Sequence, residues 1–400
     1  MHILLIHQAF AALDEPGGTR HHEFARLLVA RGHRVTVIAS PVSYLTGSKA
    51  SEGSGHEPGI RILRAPVYSA HHKSFVHRVF AFLSFMAASF LLGLRVRQVD
   101  LVWGTSPPIF QGVTAWLLAR LKRVPFLFEV RDLWPQFAIA VGVLKSPLLI
   151  RLSLWLERFL YRRADRMMVN SPAYVEHVQG RGARRVELVP NGADPAMFDP
   201  ADEGADFRGA HGLQERYVVL YAGAHGMSND LGVALEAAAR LEKTAPQVCL
   251  VFLGDGKEKP ALQVRAAELG LGNVLFLPPV PKSEMAAALA AADACLAILK
   301  PIEEYKTTYP NKVFDYMAAG RPVVLAIDGV IREVVESAGC GLFAPPGEPA
   351  ALAEAIRELA ADPPAGRRMG LAGRRHLEEH FSREKIGEQL LRLLEGMAGT

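Results

Sequence analysis

Short apolar runs alternate with stretches of helical periodicity along most of the chain. Between the first two runs, Phe24, Leu27 and Leu28 share one face of a helix that Gly32 should end. This alternation is typical of a parallel sheet covered by helices, so the pattern predicts an α/β fold. The predicted strands are Ile3–Ile6, Val35–Ala39, Leu101–Trp103, Phe126–Val130, Met167–Val169, Val186–Val189, Tyr217–Tyr221, Cys249–Leu253, Val274–Leu277, Ala294–Leu299 and Val323–Ala326.

The rhythm breaks near Pro190-Asn191-Gly192 and restarts after about Arg216. Four hundred residues exceed the usual size of one domain, so the break marks a border between two domains. We predict doubly wound domains over residues 1–195 and 196–375, with the carboxyl ends of both sheets facing a central cleft. A C-terminal helix over 376–400 follows the second sheet or crosses back to the first domain.

Charge divides unevenly between the two halves. Residues 1–195 carry 24 Lys and Arg against 13 Asp and Glu, a net charge of +11, whereas residues 196–400 carry 21 against 28, a net charge of −7. A basic first half indicates an anionic partner, either a membrane surface or a phosphorylated substrate. The chain has no zinc-finger spacing or aromatic-basic RNA motif, so no nucleic-acid partner is expected. The three distant cysteines indicate neither a disulfide framework nor a metal site, and the first apolar run is too short for a signal peptide.

The segment from Tyr305 to Pro322 carries the most specific chemistry. Pro310 suits the start of a helix and Gly320 its end. Unbonded N–H groups near Asn311 and Lys312, the helix dipole and the Lys312 ammonium would together bind an anion. Asp315, one turn later, could accept a hydrogen bond from a ribose hydroxyl. The alternative interpretation is an ordinary surface helix.

Other loops after predicted strands offer further groups for the same cleft. Gly17 and Gly18 would let backbone approach a ligand, although a plain turn is the alternative. Asp132 would orient an acceptor beside Arg131, or merely cap a helix or pair with Arg131. The pairs His21-His22 and His71-His72 lack a third ligand, so no metal is expected. The remaining candidates for donor binding are Arg20, Gly223, His225, Asn229 and Lys257.

Residues 73–97 form a basic and strongly apolar segment. Its uninterrupted apolar run, from Val79 to Leu94, is shorter than the roughly 20 residues that a spanning helix needs. The flanking Lys and Arg favour a helix lying in a membrane interface, while a wide-faced core helix is the alternative. The predicted membrane face comprises Phe75, Val79, Phe82, Leu83, Met86, Phe90 and Leu94.

Taken in order, five segments resemble the retaining glycosyltransferases of family 4, which have the GT-B fold of two Rossmann-like domains. They read GGTRHHEFARLLVARGH, FEVRDLWP, VPNGADPAMF, FLGDGKEKPAL and PNKVFDYMAAGRPVV, the last followed by CGLFAPPGEPAALAEAI. Within the family the chain looks most like bacterial O-antigen, capsule or colanic acid transferases, such as the N-acetyl-L-fucosamine transferases.

This resemblance implies a transferase (EC 2.4) that moves a hexosyl or N-acetylhexosaminyl group with retention of configuration. A nucleotide-diphosphate sugar would bind the second domain and a lipid-linked saccharide acceptor the first. No metal or other cofactor would be needed. The enzyme would act in polysaccharide biosynthesis. With the basic first half and the apolar segment 73–97, it would be cytoplasmic and peripheral on the inner face of an anionic membrane. The residues implied in catalysis are Asp132, Arg131 and Lys312.

The sequence departs from the family pattern at several positions. Where the family has two glutamates with seven residues between them, this chain has Thr307 and Asp315. Glu303 or Glu304 would supply the first carboxylate if the loop folds back. The histidine common before Asp132 is Arg131 here, and the usual Arg and Lys after the second domain's first strand are missing. Three other functions therefore stay open: a soluble family 4 transferase with a small acceptor, a nucleotide-sugar epimerase of similar architecture, and a non-catalytic nucleotide-sugar binder.

Overall fold

The computed structural model describes residues 1–42, 57–68 and 75–398, with backbone alone at 75–79. The chain forms two compact units. Unit 1 comprises Met1–Pro190 and Glu384–Thr400, and unit 2 comprises Asn191–Arg383.

Unit 1 is built on a seven-stranded parallel sheet in the order β3-β2-β1-β4-β5-β6-β7. The order reverses between β1 and β4, which makes this pair the topological switch point, where doubly wound sheets bind ligands. The strands are β1 His2–Ile6, β2 Arg34–Ala39, β3 Ile60–Arg64, β4 Leu101–Ser106, β5 Phe126–Val130, β6 Arg166–Val169 and β7 Val186–Leu188.

Helices cover both faces of this sheet, and strands such as β1 and β5 are therefore buried along their whole length. Phe85, Leu118 and Leu160 come from three different helices and share one core with β4 and β5. The helices are α1 Arg20–Ala30, α2 Phe75–Arg95, α3 Phe110–Lys122, α4 Gln136–Ala140, α5 Pro147–Arg163 and α6 Ala173–Gly180.

Unit 2 has a six-stranded parallel sheet in the order β10-β9-β8-β11-β12-β13, with its switch point between β8 and β11. The strands are β8 Tyr217–Ala222, β9 Val248–Leu253, β10 Val274–Leu277, β11 Ala294–Ile298, β12 Val323–Ala326 and β13 Gly341–Phe343. The helices are α7 Ala205–His211, α8 Leu231–Thr244, α9 Lys259–Glu268, α10 Met285–Ala290, α11 Asn311–Ala318, α12 Val330–Ser337, α13 Pro349–Ala361 and α14 Pro363–His380, and short 3₁₀ turns lie at Pro195–Met197, Lys282–Glu284 and Glu303–Thr307.

The last helix, α15 Arg383–Ala398, packs on unit 1. Gly387 lies against the Leu27 side chain of α1, so closely that a Cβ there would collide with it. Glu388 forms an ion pair with Arg31, the residue that follows α1. Unit 1 is therefore completed by residues that follow unit 2 in the sequence.

The two doubly wound parallel-sheet units confirm the predicted fold class. Every predicted strand is present, whereas β3, β13 and the short helix α7 were not predicted. β3 and β13 lie at sheet edges and are largely half-exposed, so they lack the continuous apolar run of a central strand.

Candidate active site

Two glycine-rich loops pack backbone to backbone where β8 and β9 end. Gly223, Gly254 and Gly256 have φ angles of 147°, 149° and 156°, a region that side chains disfavour. A Cβ on Gly254 would collide with the Gly223 carbonyl, and one on Gly256 would collide with the His225 carbonyl. The glycines therefore allow a close contact that leaves backbone, rather than side chains, at this edge of the sheet.

Lys312 lies at the same edge, on the first turn of α11. Its Nζ is 3.8 Å from the centroid of the Tyr221 ring, and a Cβ on Gly223 would lie 2.9 Å from that nitrogen. In the described part of the chain, no carboxylate or carbonyl accepts a hydrogen bond from this ammonium, and burial lowers its pKa to about 7. The backbone N–H groups of Asn311 and Lys312 also have no acceptor among the described residues. An ammonium and the N–H groups of a helix start therefore lie together, which is an arrangement that favours an anion.

Asp315 faces a partner that the sequence did not reveal. The buried Lys282 places its Nζ 2.5 Å from Asp315 Oδ1, and Asn311 donates to Oδ2 over 3.4 Å. Asn191 donates to the Tyr309 carbonyl over 2.6 Å, which fixes the backbone just before Pro310. The start of α11 is therefore held rigidly, with the Asp315 carboxylate already in an ion pair.

The remaining predicted donor residues of unit 2 have different surroundings. His225 is buried against Tyr221, Phe252 and Phe276, and burial, with Lys259 and Lys312 nearby, lowers its pKa to about 4. Neither ring nitrogen has a partner among the described residues, which costs roughly 1–3 kcal/mol until an acceptor reaches the N–H. Asn229 donates to the Ala224 carbonyl and shapes the loop.

Lys257 is exposed and forms no hydrogen bond or ion pair with the described residues, whereas Lys259 is bound to the strand ends. Lys259 Nζ donates to the carbonyls of Gly254 and Leu277 over 2.7 and 2.8 Å. The sequence did not indicate this role of Lys259, because only tertiary structure brings the Leu277 carbonyl of β10 beside the start of α9. Donor binding by Lys257 stays a prediction.

In unit 1, the loop after β1 leads through Gly17 and Gly18 to the start of α1. Gly17 has a φ of 148° and its Cβ would approach that of Ala11 to 2.9 Å, whereas a Cβ on Gly18 would meet open space. Both glycines are exposed, and α1 begins two residues later. Backbone here is exposed, and the predicted close approach of a ligand stays a prediction.

Arg20 is buried and fully engaged inside unit 1. Its Nε donates to Glu129 Oε1 over 3.2 Å, and its two terminal nitrogens donate to the carbonyls of Val189 and Pro190. The guanidinium also lies over the Phe24 ring, 4.5 Å from its centroid. These contacts bind the end of the sheet to the last residues before unit 2, and they leave Arg20 an architectural role rather than the predicted contact with donor phosphate.

Glu129 and His21 complete this buried cluster. His21 Nε2 lies 2.6 Å from Glu129 Oε2, and burial lowers the pKa of His21 to about 4 despite that carboxylate. Burial alone would raise the pKa of Glu129, but His21 and Arg20 lower it to about 2. At neutral pH the ion pair is therefore Glu129 with Arg20, and His21 is a neutral donor to the carboxylate.

Arg131 and Asp132 follow β5 at the same edge of unit 1. The Arg131 side chain donates to the carbonyls of Ser106 and Pro107, at the end of β4. The partly buried Asp132 carboxylate has no hydrogen-bond donor among the described residues, and burial raises its pKa to about 6 against the opposing effect of Arg131. Asp132 thus offers an acceptor oxygen that the described residues leave unused.

Comparison with known protein families gives a match for each of the two units. A model described as "Glycosyl transferase 4-like domain" matches residues 17–192, and one described as "Glycosyl transferases group 1" matches residues 216–362. Together the two models span most of unit 1 and most of unit 2, including both strand-end loops.

The chain belongs to the family 4 glycosyltransferases with the GT-B fold.

Individual relatives of this glycosyltransferase are distant. The D-inositol 3-phosphate glycosyltransferase of Nocardia farcinica is 29% identical over 66% of this chain, and the match spans 60% of that protein's length. The putative colanic acid biosynthesis glycosyl transferase WcaI of Escherichia coli is 24% identical over 94% of this chain and 95% of its own length. The structure of Anabaena Alr3699/HepE in complex with UDP and glucose superposes with a TM-score of 0.76 and 18% identity, over 99% of this chain and 100% of that one.

At Thr307, where the family pattern has a glutamate, the structure of the glycosyltransferase shows a local hydrogen bond. The Thr307 hydroxyl donates to the Glu304 carbonyl over 2.6 Å, inside the 3₁₀ turn that precedes α11. Glu303 points outward and pairs with Lys306 at 2.7 Å, with its side chain 79% exposed. The turn therefore does not fold Glu303 back toward α11, and substitution by Glu304 stays a prediction.

The predicted membrane face of this glycosyltransferase is only partly exposed. Leu83 and Leu94 are exposed, whereas Phe82, Met86 and Phe90 are half-buried, and Phe82 stacks on Phe110 at 5.8 Å. The side chains of Phe75 and Val79 lie outside the described residues. Within the described ranges, no helix combines the length and the apolar character that crossing a bilayer demands. The same ranges contain no cluster of three metal-ligating side chains, and His71 and His72 lie outside them.

Proposed function

We propose that this protein transfers a hexosyl or N-acetylhexosaminyl group from a nucleoside-diphosphate sugar to a saccharide carried on a polyprenyl diphosphate. We further propose retention of anomeric configuration, without a metal, in the assembly of a bacterial surface polysaccharide. The observation that carries the proposal is the Lys312 ammonium, which faces a glycine loop and has no acceptor in the described structure.

The chemistry of the leaving group explains why such a site suits sugar transfer. When the bond between the anomeric carbon and the diphosphate breaks, negative charge accumulates on the leaving phosphate. Lys312 and the N–H groups at the start of α11 are donors placed in advance at one edge of the sheet, beside the Gly223 loop. Such preorganised donors stabilise the transition state more than the ground state. The diphosphate then takes the acceptor proton, so no strong protein nucleophile is required.

Two comparisons support the choice of substrates. The Anabaena protein of the same fold was solved with UDP and glucose, which supports a nucleotide-sugar donor. A relative matched over nearly its full length is named for colanic acid biosynthesis, which supports an acceptor in surface-polysaccharide assembly.

The direct test is thermal stabilisation of the purified chain by UDP, GDP, dTDP and ADP, followed by transfer assays with sugars of the nucleotide that binds. We expect one nucleotide to raise Tm, and its sugar to appear on a polyprenyl-diphosphate saccharide with unchanged anomeric configuration by NMR. Binding without transfer would indicate a non-catalytic binder, and an altered sugar without any acceptor would indicate an epimerase. Transfer to a small soluble acceptor alone would replace the lipid-linked one, and an inverted product would refute retention.

Replacing Asp132 with asparagine should separate the acceptor site from the donor site. We expect kcat/KM for transfer to fall about tenfold, because the variant loses a charged hydrogen bond to the acceptor hydroxyl. The Tm shift caused by the nucleotide should be unchanged, because Asp132 belongs to unit 1. Because burial raises the pKa of Asp132 to about 6, the rate of transfer by the wild type should rise as pH rises through 6 and the carboxyl ionises. This rise should vanish in Asp132→Asn.

The matched control for Asp132 is Glu187→Gln, which removes an exposed carboxylate of the same unit. Its transfer rate and pH profile should equal those of the wild type. An Asp132→Asn variant with wild-type kcat/KM and an unchanged pH profile would remove Asp132 from the mechanism.

A further inference from the structure

Three helices of unit 1 form a continuous outer layer. α3 packs against both α2 and α5, and Gly93 of α2 lies so close to Leu118 of α3 that a Cβ would collide with it. On the inner side, the layer buries Phe85, Leu118 and Leu160 in one core. The three helices therefore present their outer sides together, as one surface.

This outer surface is unusually apolar. Of the sixteen exposed large apolar side chains in the described ranges, ten belong to α2, α3 and α5, so they are concentrated in one place rather than scattered. All three helices contribute side chains that are more than half exposed, including Phe80, Leu91, Leu121, Leu148 and Trp155. We call the surface formed by the exposed residues of α2, α3 and α5 the helical face.

The charge of the helical face has a single sign. The sequences of the three helices contain one carboxylate, Glu157, which is buried and bound by Arg181 and His177. Exposed arginines lie on the same three helices as the exposed apolar side chains, and none of them pairs with a carboxylate in the described part of the chain. These arginines are Arg95, Arg120, Arg151, Arg158, Arg162 and Arg163.

We propose that the helical face docks the protein on an anionic lipid bilayer, with α5 and α3 contributing as much as α2. Exposed leucine, phenylalanine and tryptophan side chains insert at the level of the headgroups, while the arginines bind lipid phosphates. A protein partner could cover the apolar side chains, but a face with arginines on every helix and no exposed carboxylate complements a uniformly negative surface best. The inference extends the helix predicted from residues 73–97 to a three-helix surface, and binding would occur whether or not the chain transfers sugar.

Vesicle binding of the full chain tests this inference. We expect cosedimentation with vesicles of phosphatidylglycerol and phosphatidylcholine in equal parts, and about tenfold weaker binding to phosphatidylcholine alone or in high salt. The triple variant Leu148→Ser, Leu152→Ser, Trp155→Ser should weaken binding about tenfold, because it removes apolar area that inserts. A control with Val264→Ser and Leu371→Ser, exposed apolar residues of unit 2, should bind like the wild type.

Charge and depth can be tested separately. Arg158→Gln with Arg162→Gln should lower the affinity for anionic vesicles about tenfold, whereas Arg240→Gln with Lys243→Gln on α8 should not change it. Vesicles should shift tryptophan emission to shorter wavelength in the wild type, and Trp155→Phe should bind but lose most of the shift.

Three results would overturn the inference. The first is a folded wild type that binds no anionic vesicles, and the second is binding that the α5 variants leave unchanged. The third is a dimer in lipid-free buffer that the triple serine variant dissociates, since a second copy of the chain would then cover the helical face.

Discussion

Replacing Lys312 with methionine is expected to lower kcat/KM for sugar transfer by about ten- to a hundredfold. The variant keeps the aliphatic stem against Tyr221 but removes the ammonium that would bind the diphosphate. A hydrogen bond to a charged group contributes roughly 1.5–3 kcal/mol, which corresponds to about one to two decades in rate. The nucleotide that stabilises the wild type should give little or no Tm shift in Lys312→Met.

Titration of Lys312 should change protein stability and nucleotide affinity in opposite directions. Because burial lowers its pKa from 10.5 to about 7, the unfolded chain binds more protons between these values, and the stability of the ligand-free wild type should rise from pH 7 to pH 10. Nucleotide affinity should fall over the same range, because the anion binds the protonated amine. Both trends should be absent in Lys312→Met. The control Lys243→Ala, which removes an exposed lysine of α8, should retain both. Wild-type transfer by Lys312→Met would refute the proposed phosphate site.

Replacing Glu129 with glutamine is expected to destabilise the protein by about 3–5 kcal/mol, because it leaves the Arg20 guanidinium buried without its carboxylate. The measurement is urea denaturation of wild type and variant, monitored by the tryptophan fluorescence of unit 1. Glu57→Gln is the matched control in the same unit. It removes a half-exposed carboxylate that pairs with Arg26 and lies 3.5 Å from His22, and it should cost less than about 1 kcal/mol.

The same cluster predicts how acid unfolds the protein. Neutral His21 contributes stability that is lost as pH falls from its ordinary 6.5 toward about 4. Ionised Glu129 contributes stability that is present above its ordinary pKa of 4.5 and is lost as pH falls toward about 2. Stability should therefore fall continuously through both windows, and Glu129→Gln should flatten the lower one. If Glu129→Gln lowers the free energy of unfolding by less than about 1 kcal/mol, the Val189 and Pro190 carbonyls alone satisfy the Arg20 guanidinium.

How much the sequence predicted depends on whether the signal was local. The central strands are continuous apolar runs, and Pro310 and Gly320 bracket α11 as their backbone preferences predicted. The helix start beside Lys312 could be predicted because it is encoded within a few residues, whereas the anion site there stays a prediction. Edge strands such as β3 gave no such signal.

The partners of the candidate residues lie far away in sequence and could not be predicted. Lys282 binds Asp315 from a turn 33 residues upstream, and Glu129 binds Arg20 across 109 residues. Alternation of apolar and polar positions indicates which residues are buried, but it does not indicate which buried charges meet. Arg20 was therefore predicted to bind phosphate, although it is held by Glu129 and two carbonyls.

The position of α15 has a consequence for biosynthesis. Every residue of unit 2 precedes Glu384, so that unit can fold as soon as Arg383 has left the ribosome. Unit 1 is synthesised first, but its α1 surface must wait for Gly387 and Glu388 before Leu27 and Arg31 are covered. The order of synthesis and the order of completion are therefore reversed, and the nascent unit 1 exposes apolar surface to chaperones for as long as unit 2 takes to be made.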